Sequence, residues 1–200
     1  KEGNYKNAIK YSKIGLLFFQ DKKEPWWLGN YSNMAACLAK SYEELNILDS
    51  AFYYAQIGHH IDLTYFGKNA SVFWGNIFGS IYSKSGQPAL ALEYFRLYYN
   101  YIKNYPGAIE ARILSFYETG KHFELYNQPD SAIYYARKAF LISQKNSFKI
   151  YILNSSKLLT KLFKSTNQID SAFKYQSIML ETEEFIFSRE KISRINILEF

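Results

Sequence analysis

One skeleton returns five times along this chain, and it limits the fold more than any other feature. At positions 127–135 it reads NQPDSAIYY: a turn, then Asp-Ser-Ala, a large apolar residue, and Tyr three places after the Ala. It returns at 167–175 (NQIDSAFKY) and 46–54 (NILDSAFYY), and more loosely at 86–94 (GQPALALEY) and 3–11 (GNYKNAIKY). The anchoring alanines are Ala8, Ala51, Ala91, Ala132 and Ala172, spaced 43, 40, 41 and 40 residues apart. Three residues after them stand Tyr11, Tyr54, Tyr94, Tyr135 and Tyr175. A fixed period in this range belongs to stacked-repeat architectures, in which each unit buries its apolar face only against its neighbours.

Within each period the apolar spacing predicts two antiparallel helices, A then B, and no alternation of period two competes with them. The first repeat supplies only a helix B, around Tyr5–Phe19, so the chain reads as a piece of a longer array. Helix A is then expected over Trp26–Glu44, Ala70–Lys84, Ala108–Tyr126 and Ser147–Ser165. Helix B follows over Asp49–Leu63, Pro88–Ile102, Pro129–Gln144 and from Ile169 onward. Pro25, Pro88, Pro106 and Pro129 each stand at an expected helix start, where the missing N–H is harmless. Asp49 falls in a first turn, where negative charge suits the helix dipole.

The residues twelve before each anchor are small: Ala39, Gly79, Gly120 and Thr160. Those nine before are aromatic: Tyr42, Tyr82, Phe123 and Phe163. Small residues facing the anchor Ala let two helix backbones approach, and the aromatics fill the space further along. This small–aromatic–turn–Ala pattern resembles the tetratricopeptide repeat over nearly the whole chain. The resemblance implies an all-α fold, a right-handed α-α superhelix of about four and a half helical hairpins over residues 1–183. The period is longer than the family's usual length of about 34, so helices or linkers are longer by about one turn. The family's early Trp position holds Ala35, Gly75, Phe116 and Ser156.

The C-terminal segment 169–200 resembles the last repeat of bacterial signalling proteins, where such arrays precede a connector helix and an output domain. That likeness rests on an acidic–aromatic stretch from Glu184, then Ser-Arg-Glu-Lys, then Ile192, Ile195 and Leu198 at helical spacing. It implies that residues 184–200 begin a connector helix. The apolar run Phe185, Ile186, Ile192, Ile195, Leu198 and Phe200 is expected to pair with a second copy in the intact protein, giving a homodimer.

Reaction chemistry is not written in this sequence. It holds no glycine-rich phosphate loop, no His-Glu-x-x-His pair and no Gly-x-Ser-x-Gly elbow. No catalytic residue, metal site or cofactor is expected. His59 and His60 are adjacent on a helix and diverge by about 100°, so they make a poor ligand pair. The lone Cys37 excludes a disulfide framework and reads as core or semi-buried filler. The acidic pairs Glu43-Glu44 and Glu181–Glu184 read as solvated helix ends. A formal charge of +6 admits an acidic partner, but without a dense Lys/Arg run it disfavours nucleic acid. No apolar run is long enough to span a bilayer, so membrane attachment would need a segment outside this chain. The compartment, periplasmic or cytoplasmic, stays open.

The expected function is therefore binding. In tetratricopeptide arrays the A helices line a concave face that holds peptides or protein segments. The resemblance places Asn33, Ala36 and Lys40 there from the first A helix, and Phe73, Asn76 and Ser80 from the next. Leu114, Tyr117 and Lys121 follow, then Asn154, Lys157 and Lys161. Lys40, Lys121 and Lys161 share one repeat position. Asn, Tyr and Lys together can hydrogen-bond an extended backbone and pair with a carboxylate. Glu43 and Glu124, three residues beyond Lys40 and Lys121, offer the competing reading of a solvated, self-paired helix face. A protein- or peptide-binding module in a bacterial signalling protein is the leading reading. A free-standing adaptor is the alternative, and binding of single-stranded nucleic acid comes last.

Overall fold

The computed structural model describes residues 2–19, 21 and 24–198, with the side chains at 2, 3, 71 and 189–198 outside the description. Every regular element among the described residues is helical. The chain divides into two compact units, residues 1–101 and 102–200. This division falls at the end of a helix B, ahead of the Tyr105-Pro106-Gly107 turn.

In the first unit, α1 (Glu2–Phe19) packs on α2 (Pro25–Glu44), which pairs with α3 (Leu48–Ile61). Next come α4 (Lys68–Ser71), α5 (Gly75–Lys84) and α6 (Pro88–Ile102). In the second unit α7 (Ile109–Leu125) pairs with α8 (Pro129–Lys145), and α9 (Lys149–Ser165) with α10 (Ile169–Leu198). Helices α6 and α8 open on their prolines, as α2 does, whereas Pro106 sits in a turn ahead of α7.

The turn that opens the last four skeletons repeats in backbone angle and hydrogen bond. Asn46, Gly86, Asn127 and Asn167 take positive φ of 59°, 79°, 54° and 57°. These are the residue types that tolerate the left-handed region. The N–H of the following residue then reaches back to the aromatic carbonyl of helix A: Ile47 to Tyr42, Gln87 to Tyr82, Gln128 to Phe123 and Gln168 to Phe163, at 2.8–3.0 Å. That is a Schellman closure. Helix B starts at once, with Ala51, Ala91, Ala132 and Ala172 donating to the carbonyl four residues back.

Four of the anchor alanines, Ala51, Ala91, Ala132 and Ala172, are buried at 0–2% exposure, and Ala8 is half-buried. A methyl on Gly120 would sit 3.4 Å from the Ala132 carbonyl oxygen and 3.2 Å from the Ala136 nitrogen, so α7 and α8 nearly touch there. The periodic Tyr has a specific task. Tyr54 lies face to face with Tyr42 at 5.7 Å, Tyr135 with Phe123 at 5.4 Å and Tyr175 with Phe163 at 5.6 Å; Tyr94 is tilted against Tyr82 at 5.2 Å. Each hairpin is thus latched by one ring pair, worth roughly 0.5–1.5 kcal/mol beyond its buried area.

One expected helix is not continuous. Over 62–75 the chain passes through a π turn (Asp62–Phe66), α4, and a 3-10 turn (Val72–Trp74) before α5. Gly67, at φ 82°, ends the π turn. The tightened turn accompanies burial of Trp74, whose indole N–H donates to Asp62 Oδ2 at 2.7 Å. The ring lies where a side chain on Gly58 would be. Neither Gly58 nor Trp74 belongs to the repeat pattern, so the periodicity does not predict this local device. No described helix is long and apolar enough to cross a membrane.

Candidate functional site

Inside each unit the A helices lie side by side, α2 with α5 and α7 with α9. This brings together residues 37 positions apart. In the first unit the Ser80 hydroxyl donates to Glu43 Oε1 at 2.9 Å. Lys84 Nζ reaches the same oxygen at 2.6 Å and donates to the Glu43 carbonyl at 2.8 Å. Lys40 Nζ pairs with Glu43 Oε2 at 2.8 Å and with Glu44 at 3.7 Å. Glu43 is fully buried, which corrects its reading as a solvated helix end. A carboxylate can be held there because two ammonium groups and a hydroxyl replace its water.

The second unit uses the same register with different residues. Lys161 pairs with Glu124, repeating the geometry of Ser80 on Glu43. Lys121 pairs with the buried Glu118 at 3.3 Å and lies 5.7 Å from the centre of the Tyr117 ring. Lys157 pairs with Glu183 of α10 at 2.8 Å, so Glu183 is half-buried and ion-paired, and Glu181 and Glu184 are exposed.

The expected binding residues therefore separate. Asn33 is exposed, and Asn154 and Tyr117 are half-buried. Lys40, Lys121 and Lys157 are partly exposed and ion-paired, and Lys161 keeps 75% of its side chain exposed. Asn76 and Ser80 are buried, at 5% and 4%, so they do not stand on an open face. Ser80 instead ties α5 to Glu43, and among the described residues the buried Asn76 Oδ1 has no hydrogen-bond partner. The Lys40–Glu43 pair was legible from spacing. The cross-helix partners Lys84 and Ser80 were not, because only tertiary packing aligns them.

Other residues fall out differently from their sequence reading. Cys37 is exposed rather than semi-buried. His122, on helix A, is 3% exposed and set against Phe123 and Tyr126, and burial pushes its imidazole below the usual range. His59 is lowered for the same reason, against an opposing pull from Asp62. Among the described residues no group of three or more His, Cys, Asp or Glu could hold a metal ion. The stripe Ile192, Ile195 and Leu198 falls where side chains are not described, and Phe200 lies outside the described residues. A scan of protein-family models finds none that matches this sequence, and a search of curated proteins finds no match.

Proposed function

We propose that the chain is a protein- or peptide-binding repeat module of the tetratricopeptide type, its hairpins stacked in a right-handed α-α superhelix. Its role is the sensory or scaffolding region of a bacterial signal-transduction protein. The observation that carries this reading is the side-by-side A helices, joined by the same contact in each unit, Ser80 to Glu43 and Lys161 to Glu124. Lys40, Lys121, Lys157 and Lys161 keep part of their side chains exposed beside these contacts, and a lysine so placed can exchange an internal carboxylate for one on a ligand. Binding, not catalysis, is the activity. The periodic rings support a protein ligand over nucleic acid, because Tyr42, Tyr82, Phe123 and Phe163 are already packed against Tyr54, Tyr94, Tyr135 and Tyr175. The length of α10 supports the connector: it runs 30 residues, against 14–17 for the complete B helices α3, α6 and α8.

The test uses peptides selected from a displayed random library against the wild-type chain, titrated by fluorescence anisotropy. Lys121→Glu together with Lys161→Glu should abolish their binding. Because the change also removes the lysines paired with Glu118 and Glu124, a lowered melting temperature is expected. Binding is read well below it, with the helical circular-dichroism spectrum as the check on folding. Binding that survives the double change rejects the A-helix face.

A further inference from the structure

A groove of about 460 Å³ runs along α8 in the second unit, away from the ion-paired lysines of α7 and α9. Ile133 and Phe163 line its buried part, and Tyr134 and Leu141 stand on it more than half exposed. Arg137 and Lys138 supply its charge. The Arg137 guanidinium lies 5.0 Å from the Phe163 ring centre, and Lys138 Nζ lies 4.4 Å from that of Tyr134 and 5.2 Å from that of Phe116. Among the described residues neither cation has a carboxylate partner. Asp130 also lines the groove, but it stands two turns from Arg137 on the same helix, roughly 10 Å along the axis.

The first unit carries the same groove two periods earlier. Its lining includes Asp49, Phe52, Tyr53, Gln56, Tyr82 and Gln87, the repeat equivalents of Asp130, Ile133, Tyr134, Arg137, Phe163 and Gln168. Even the glutamines match: Gln87 Nε2 donates to Ser85 and Gln168 Nε2 to Thr166, at 3.2 and 3.1 Å. The repeat therefore builds this groove as part of its geometry. The charge is what differs, since Gln56 and Ile57 stand where the second unit has Arg137 and Lys138.

We propose that the α8 groove is a second docking surface, separate from the A-helix face, and that it takes a short acidic segment of a partner protein carrying an apolar side chain. The apolar side chain enters over Ile133 and Phe163, beside Tyr134 and Leu141. Its neighbouring carboxylates pair with Arg137 and Lys138, whose stems and rings already exclude water from one side. The volume falls in the range of small-molecule pockets, roughly 300–1,000 Å³, which leaves room for one apolar side chain. The first-unit groove, lacking both cations, does not take this ligand and serves as an internal control.

The experiment titrates the full chain with fluorescein-labelled Glu-Glu-Leu-Phe-Glu-Glu, amidated at its end, and with the same peptide carrying Lys for Glu or Ala for Leu-Phe. The acidic peptide should bind with one-to-one stoichiometry and weaken as salt rises, and both control peptides should bind at least tenfold more weakly. Arg137→Glu with Lys138→Glu should lower affinity at least tenfold, whereas Lys121→Glu with Lys161→Glu should change it less than threefold. If the charge-reversed variant does not fold, Arg137→Gln with Lys138→Gln carries the test and should cost at least fivefold. No binding to wild type at millimolar peptide, equal binding of the Lys peptide, or loss confined to the Lys121/Lys161 variant overturns the proposal. That last outcome would leave the A-helix reading standing. Loss confined to the Arg137/Lys138 variant supports the groove and says nothing against the other face.

Discussion

Gly79 and Phe95 form a pair whose energetics follow from their geometry. Gly79 holds the small position of the third repeat, on α5, and Phe95 lies one turn beyond the anchor Ala91 on α6. A Cβ on Gly79 would stand 2.6 Å from both Cδ1 and Cε1 of the Phe95 ring, which is itself 3% exposed. Carbon atoms rest at about 3.5–4.0 Å, so the overlap is about 1 Å and the buried ring has little room to swing. On an open helix, Gly→Ala would stabilise by about 1 kcal/mol. Here overpacking of roughly 1–3 kcal/mol opposes it, leaving a net loss near 1 kcal/mol. Two of the other hairpins solve the same contact differently: Ala39 has Ala55, and Gly120 has Ala136, at the position of Phe95. Phe95→Ala alone should cost about 3–5 kcal/mol through the cavity it leaves. Once Phe95 is Ala, Gly79→Ala should turn stabilising by about 1 kcal/mol, because it then recreates the Ala39/Ala55 pairing. The two changes should thus couple by about 1–3 kcal/mol. Urea unfolding of the four variants, followed by circular dichroism at 222 nm, measures this. If Gly79→Ala stabilises the wild type, or has the same effect in both backgrounds, the close-approach account of the small position is wrong.

Ser147 is a non-glycine residue outside the skeleton turns held at positive φ, 58°. Replacing it by Gly should raise stability by about 0.5–1 kcal/mol, the left-handed penalty less the entropy that Gly adds to the unfolded chain, read as an increase in the denaturation midpoint. Glu43→Gln should cost about 1.5–3 kcal/mol, because it discharges the buried partner of Lys40 and Lys84; a change below about 0.5 kcal/mol would show those pairs to be idle. Stability should also fall as pH drops. The unfolded His122 takes its proton near 6.5, whereas the buried one resists it, so below that value the unfolded chain binds more protons and gains. His59 acts in the same direction. Melting temperatures should therefore decline between about pH 7.5 and 5.5, and His122→Gln should flatten part of that slope; an unchanged slope would reject the assignment.

Periodicity alone carried much of the architecture. A recurrence near 41 residues, with Asn or Gly at the turn, Ala at the anchor and Tyr one turn on, was enough to locate the hairpins. The reason is that these features are local. A left-handed turn needs Asn or Gly whatever packs on it, a close helix crossing needs small residues, and apolar spacing marks the inward face. The partners of Tyr54, Tyr94, Tyr135 and Tyr175 lie twelve residues earlier in the same hairpin, so that contact too was within reach of the sequence.

What the sequence could not decide involves residues from different hairpins. Glu43 looked like one of two solvated acids at a helix end, because its neighbours in sequence leave it open to water. Only the approach of α5, bringing Ser80 and Lys84, buries it. Cys37 looked semi-buried beside Ala35 and Ala36, yet its direction around α2 exposes it. Trp74 and Gly58 meet through a π turn and a 3-10 turn that break the repeat, and no period announces an exception to itself. Whether a lysine on helix A meets solvent, a ligand or a carboxylate depends on what stands across the gap. The groove with Arg137 and Lys138 was hidden for a related reason. Asp130, Ile133, Tyr134, Phe163 and Gln168 belong to the repeat pattern, Arg137 and Lys138 do not, and only the approach of Phe163 and Gln168 from beyond α8 turns one face of it into a groove. The helices were written locally, in spacing and turn chemistry; burial, charge pairing and surface shape were decided between helices, where distance along the chain no longer measures distance in space.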